Sequence, residues 1–395
     1  MSTVASRLRA SGAPRLPGRL RARLAGLWAA GDTRRTPNFL VFTTAIGVLN
    51  AIGLVMVLSA SSVLSLDDKG SPWWFFQRQL MWSVLGLTAF LVCSRVDYRT
   101  WRRITIPFLA VTLVLLVVVL IPGIGIWVDG SRRWLGWGTL RLQPSEVAKL
   151  ALLILTADVL TRRERELDDW RVALRPTLVV TAVVAGLVML EPDLASTMVI
   201  TIVVGSVLVV GGIRLRHLAA VGATAIALVT AFSLLVPWRR ARMLSFLDPW
   251  SDSSNAGYQV TQSLIALGSG GWTGVGLGAS RAKWRFLPAA HTDFIFAIVG
   301  EELGLLGAGL VIGLFVMLAV AGVRTALRSP DRFGMLVAGA VTAWIIGQAV
   351  VNLGAVVGVL PVTGVPLPFV SFGGSALVIT MAAAGVLANV ARQGR

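Results

Sequence analysis

An all-α protein that crosses a membrane many times is what this sequence predicts, and three observations predict it. The 395 residues are 55% hydrophobic and only 14% charged, with a mean hydropathy of +0.78, outside the range of ordinary soluble domains. The apolar residues gather in runs of roughly 20, the length a helix needs to span the hydrocarbon core. The basic residues gather in short segments between those runs rather than on one soluble face. Despite a formal charge of +17, that distribution argues against a nucleic-acid partner.

Residues 1–38 carry eight Arg against one Asp, with Pro14, Pro17 and Pro37. They read as a disordered, uncleaved cytoplasmic tail, because the apolar run that follows is about 25 residues, long enough to span rather than to be a signal. Its arginines either follow from positive-inside topology or touch anionic lipid or a partner. Ten transmembrane helices are expected near 39–65, 75–94, 104–121, 146–160, 177–190, 195–212, 218–237, 293–321, 334–352 and 373–391. They form one membrane domain, 39–391, with a large extracytoplasmic loop, 238–292, between helices seven and eight, and a short tail, 392–395. Both termini are cytoplasmic. That orientation puts 24 of the 36 basic residues on the cytoplasmic side, as the positive-inside rule requires. Cys93 is the only cysteine, so disulfides and thiolate metal sites are excluded.

The exceptions to the sorting rule are informative. Arg132, Arg133 and Arg141 stand in the outer loop "PGIGIWVDGSRRWLGWGTLRLQPS", and Arg239, Arg240, Arg242, Arg281, Lys283 and Arg285 in the larger one. An anionic ligand at the outer surface is the simplest cause, although phospholipid headgroups serve equally well for Arg239, Arg240 and Arg242. The other basic residues share their loops with Trp127, Trp134, Trp137 and Trp284. Pro144 and Ser145 start a helix, with Ser145 as the expected N-cap. Glu146 and Lys149 then share one face near the outer surface. Either they form an ion pair with a snorkelling Lys149, or Lys149 joins Arg141 in holding phosphate. In the larger loop, "GYQVTQSLIALGSGG" has the pattern of a short amphipathic helix. "GSGGWTGVGLG" lacks the strand and Lys-Ser/Thr of a P-loop, so no nucleotide site is read there.

"AAHTDFIFAIVGEELG", residues 289–304, places His291, Asp293, Glu301 and Glu302 at the mouth of an apolar helix. Thr292 is a candidate cap for it. Burial favours the protonated form of Asp293, while the helix N-terminus and nearby Lys283 and Arg285 favour the carboxylate. Asp293 is either a dipole-complementing acid or a poised base. Glu301 and Glu302 cannot face the same direction, and at least one must enter the bundle or a polar cavity. Pro361, Pro366 and Pro368 forbid a continuous helix over 356–380, so that segment lines a cavity.

"GSRRWLGWGTLRLQPSEVAKLA", "FLPAAHTDFIFAIVGEELGLLG" and "NLGAVVGVLPVTGVPLPFVSFGGSALV", with "GLVMVLSASS" in the first span, resemble the SEDS family of peptidoglycan polymerases over about residues 39–391. The first-span motif and the basic amino terminus are more similar to its cell-division branch than to its elongation branch. The resemblance implies a ten-helix bundle that polymerises lipid II at the outer face of the bacterial cytoplasmic membrane, at the division septum, inverting the anomeric centre. It implies Asp293 as the catalytic acid–base residue. It implies Arg133, Trp134, Arg141 and Lys149 at the substrate, and we add Arg132, Glu146, Lys283, Arg285, His291, Thr292 and Ser371 as substrate-binding candidates. Where the family often has Glu in this run, the chain has Ala289-Ala290. The implied partners are a class B penicillin-binding protein and other division membrane proteins. Whether a divalent cation (Mg or Mn) shares the pyrophosphate with Arg133 and Arg141 stays open. A lipid II flippase and a non-enzymatic scaffold are the competing readings.

Overall fold

The computed structural model describes residues 36–128, 130–138, 140–167, 169–235, 240–241 and 244–394, so the basic tail up to residue 35, Arg239 and Arg242 lie outside the described residues. The helices are α1 (Pro37–Lys69), α2 (Trp74–Arg95), α3 (Tyr98–Leu120), α4 (Pro144–Arg162), α5 (Arg175–Leu190), α6 (Leu194–Val210), α7 (Leu215–Leu234), α8 (Tyr258–Ser269), α9 (Ile295–Leu327), α10 (Arg332–Val356) and α11 (Ser375–Gln393). Each of the ten apolar runs falls on one of them. Among the described residues six helices, α1, α3, α7 and α9 to α11, are long and apolar enough to cross a membrane, while α5 and α6 are apolar but shorter.

The ends follow local chemistry. Thr36 caps α1, accepting from Phe39 N at 3.3 Å, with Pro37 in the first turn where no amide partner is needed. Asp97, Asp193 and Asp331 cap α3, α6 and α10 through side-chain oxygens. Ser145 does not cap α4. That helix begins at Pro144 after Gln143, and Ser145 donates to Ser196 Oγ at 3.2 Å. α4 is the axial helix, buried along nearly its whole length, and it packs on α3, α6 and α10. α11 packs on α2, and α9 on α1 and α10. The amphipathic segment of the larger loop is α8, as its pattern predicts.

The expectation of an all-α chain needs one correction. Residues 126–142 form a three-stranded antiparallel sheet, β1 (Ile126–Val128), β2 (Ser131–Trp137) and β3 (Leu140–Leu142), with Ile126 opposite Trp134 and Leu135 opposite Leu142. Aromatic and branched residues in short alternating runs favour strands, and pairing them satisfies amides that an irregular loop would leave open. The sheet stands at one end of the bundle with the turn before α9. The opposite end carries the starts of α3 and α10 and the end of α4.

Candidate functional site

Asp293 lies half-buried in a tight turn, where Thr292 N and Phe294 N both donate to Ala289 O at 3.1 and 3.3 Å. Thr292 Oγ1 donates to the same carbonyl at 3.2 Å. Thr292 therefore closes the turn instead of capping the helix, and α9 starts at Ile295 with no side-chain cap. The carboxylate of Asp293 faces the proline segment, since a methyl group on Gly364 would stand 3.7 Å from its Oδ2.

That segment is irregular because of its prolines, and buried polar side chains satisfy it, as irregular backbone inside a bundle requires. Asn352 Nδ2 donates to Asp293 O at 2.7 Å and to Val365 O at 2.8 Å, and Gln348 Nε2 donates to Pro366 O at 2.9 Å. Ser371 Oγ donates to Thr292 O at 2.6 Å and accepts from Leu367 N at 2.8 Å. Gln79 of α2 donates to Ser371 O at 3.2 Å. Ser371, a substrate-binding candidate by sequence, is thus buried and spends its hydroxyl on the turn beneath Asp293. Asn352→Leu leaves two carbonyls without their donor, and we expect it to destabilise the protein by about 1–3 kcal/mol, read as a lower unfolding midpoint in detergent.

His291 packs against Phe75 and Phe372 with its ring tilted to both, the centroids 4.6 and 5.7 Å away. Burial lowers its pKa to about 4, so the imidazole is neutral near pH 7 and packs rather than pairing with an anion.

Past the turn, α9 is broken at Gly304, where φ is 65° and ψ is −163°. The glycine loop 270–276 fills the break. Val275 N and Gly276 N donate to the freed carbonyls of Glu301 and Glu302 at 3.0 and 3.1 Å, and Leu305 N and Leu306 N donate to Gly271 O and Trp272 O at 2.9 and 3.2 Å. Both glutamates are buried, and each finds hydroxyl and amide donors. Glu302 accepts from Ser59 at 2.6 and 2.8 Å and from Ser280 N at 3.3 Å. Glu301 accepts from Ser280 Oγ at 2.5 Å and Arg281 N at 2.9 Å. The two carboxylates anchor the larger loop to α1 and α9.

Two cations expected beside Asp293 are occupied elsewhere. Arg285 pairs with Asp67 and Asp68 at 3.4 and 2.9 Å, at the end of α1. Lys283 is buried and its Nζ donates to Gly278 O. Neither contact was visible in sequence, because the partners are set by loop docking and, for Arg285, lie more than 200 positions away.

On the sheet, Arg132 stands over Trp127, 5.3 Å from the ring centroid, and Trp134 is half-buried. Arg133 donates from Nε and Nη2 to the carbonyls of Glu191 and Pro192 at 3.2 and 2.8 Å. Arg141 has a buried Nε with no partner among the described residues, and its charge is felt by Arg78, whose guanidinium stacks on Trp74 at 3.8 Å. Lys149 makes the ion pair with Glu146 that was one of its two expected roles, but deeper than expected. It is 2% exposed, 2.5 Å from Glu146 and 5.3 Å from the Trp344 ring centroid, too deep to snorkel, and its charge is spent on the ion pair.

The turn between α5 and α6 supplies residues the sequence reading passed over. Asp193 accepts from Gln143, Ser196 N and Ser196 Oγ at 2.9, 3.0 and 2.7 Å. Glu191 beside it is 1% exposed, and neither carboxyl oxygen has a hydrogen-bond donor among the described residues. Burial first, then the charge of Asp193, raises its pKa to about 8 against a reference of 4.5, with Arg133 opposing. Folding therefore favours the protonated acid, and stability falls as pH rises from about 4.5 to about 8. Glu191→Gln should flatten that decline in an unfolding series across this range. An unchanged slope would place the titration elsewhere. The available signal was "EPD" between two apolar runs, an ionisable pair where none is needed for a turn.

Among the described residues no three His, Cys, Asp or Glu side chains converge as metal ligands.

A profile described as "cell cycle protein", covering FtsW, RodA and SpoVE, matches residues 39–395. The chain is 41% identical over 377 residues to a probable peptidoglycan glycosyltransferase FtsW of Mycobacterium tuberculosis, covering 95% of this chain and 71% of that one. It is 39% identical to the stage V sporulation protein E of Bacillus subtilis, covering 92% and 99%. It is also similar to a chain of a solved peptidoglycan synthase complex that coordinates polymerization and crosslinking, with a TM-score of 0.74, 31% identity, and 92% and 98% of the two chains covered.

Proposed function

The chain belongs to the FtsW/RodA/SpoVE family of cell cycle proteins, and from that premise we propose that it is a peptidoglycan glycosyltransferase that polymerises lipid II with Asp293 as general base. The observation that carries this reading is the turn at 289–294. Its carboxylate is aimed at an irregular, polar-braced segment inside an otherwise apolar bundle. We read ten spans with both termini in the cytoplasm, which sets the sheet and the turn at the outer face. Relatives named FtsW favour a septal role over elongation.

Asp293 takes the proton of the acceptor sugar hydroxyl while that oxygen attacks the anomeric carbon of the donor. The bond from that carbon to the pyrophosphate oxygen breaks, undecaprenyl pyrophosphate leaves, and an α-linked donor gives a β-linked product by single inversion. Arg132 and Arg141 hold the pyrophosphate and offset the charge that develops on it, with Arg133 fixed beside them by the carbonyls of Glu191 and Pro192 and adding its charge. Lys149, Glu146, Lys283, Arg285 and Ser371 act as supports, because their polar atoms are engaged within the chain. A class B penicillin-binding protein would crosslink the product, in line with the synthase complex that the chain resembles.

The test uses the purified chain with its penicillin-binding partner, given labelled lipid II in the presence of moenomycin, and sizes the products. Glycan strands support the reading. Absence of strands, with lipid II still crossing vesicle membranes, gives the protein to the flippase alternative.

A further inference from the structure

At the end of the bundle opposite the sheet, the first turns of α3 and α10 and the last turn of α4 line an open cavity of about 480 Å³. Five arginines line it: Arg99, Arg102, Arg103, Arg162 and Arg332. One carboxylate, Asp331, lies among them, and it is already saturated. It accepts from Tyr98 Oη at 2.6 Å, from Arg99 at 2.9 Å and from Gly334 N at 2.8 Å. Burial opposes its ionisation, yet those donors hold its pKa below the ordinary carboxylate value.

The other carboxylates stand behind the arginines and position them. Asp158 Oδ1 accepts from Nε of both Arg102 and Arg162, at 2.6 and 2.9 Å, which leaves both terminal nitrogens of each guanidinium for the cavity. Arg332 donates to Glu164 and to Gly211 O at 2.7 and 2.9 Å, and its Nε is buried without a partner among the described residues. Arg103 is exposed and has no carboxylate partner among the described residues. Five guanidiniums against Asp331, Asp158, Glu164 and Asp97, which stands 3.7 Å from Arg99, leave a net +1, and the N-termini of α3 and α10 add positive potential that the C-terminus of α4 partly offsets.

Positive-inside sorting explains arginines at this end of the bundle, but not their convergence from three helices on one concave space. We propose that this cavity is a phosphate-anion site, independent of polymerisation, that holds the headgroup phosphate of an anionic inner-leaflet lipid. Guanidinium forks match phosphate oxygens in pairs, and a cavity of this size at the level of helix ends admits a glycerophosphate with its chains in the bilayer. A soluble phosphate offers the same chemistry.

Native mass spectrometry of the full chain in detergent separates these sources, using phosphatidylglycerol, phosphatidylcholine and inorganic phosphate as probes. We expect phosphatidylglycerol to be retained over phosphatidylcholine, and Arg103→Gln to weaken that retention about fivefold. Arg162→Gln should do the same. Arg328→Gln removes a charge from the same end without touching the cavity, and should leave retention unchanged. Displacement of a bound species by inorganic phosphate alone, lost in Arg103→Gln, keeps the site and assigns it to a soluble phosphate. Equal retention of both lipids with no phosphate binding overturns the proposal, as does an Arg328→Gln effect equal to that of Arg103→Gln. The readout is binding, so an inactive polymerase leaves it standing.

Discussion

Asp293→Asn lowers the rate of lipid II polymerisation by about 10²–10⁴, the range that a positioned general base supplies. The substitution keeps size and shape and replaces the basic, charged carboxylate by a neutral amide. The backbone of the turn has its own braces, since Asn352 holds the carbonyl of Asp293 and Ser371 holds that of Thr292. The unfolding midpoint should therefore stay near that of the parent while product sizing shows the loss. KM should change little, because the proposed mechanism assigns the pyrophosphate to arginines on the sheet. Asp293→Glu moves the oxygens by one methylene and should recover only part of the rate, since the reach to the acceptor hydroxyl must be a hydrogen-bond distance.

Gly274→Ala destabilises the protein by more than about 2 kcal/mol, through backbone strain and overpacking together. Gly274 has a φ of 83°, and a Cβ there would stand 2.1 Å from the carbonyl oxygen of Glu302, a backbone atom that cannot step aside. Relief requires the loop to leave the break in α9, which opens the bonds from Val275 and Gly276 and exposes Glu301 and Glu302. Gly278 separates the two causes. It has a similar φ of 79° but open space around its Cβ position, so Gly278→Ala carries the strain alone. Thermal unfolding of the two variants should show the larger loss at Gly274. Equal losses would mean that loop docking contributes nothing.

What the sequence made legible is what local chemistry decides. Runs of apolar residues give helices, and three prolines within 361–368 stop one. An acid at the start of an apolar helix marks Asp293 before any coordinate is known. What escaped depends on contacts between distant residues. Lys149 looked shallow because its depth depends on where α4 sits in the bundle, and α4 is axial. Arg285 was expected beside Asp293 because its partners, Asp67 and Asp68, lie at the end of a helix far away in the chain. The break at Gly304 could not be read, since "EELGLLG" is a good helical sequence until a glycine loop supplies the missing backbone partners. Asn352 and Gln348 carried a readable signal, as amides in an otherwise apolar helix seldom go without a partner. Their role became definite only once the proline segment was beside them.

The central claim is that Asp293 accepts a proton, and the pH dependence of kcat/KM for polymerisation tests it most directly. A general base predicts that the parent enzyme loses rate about tenfold per pH unit on the acid side of a single ionisation, and that the residual activity of Asp293→Asn lacks this limb. An Asp293→Asn profile that keeps the same acid limb would contradict the account and place the base on another residue.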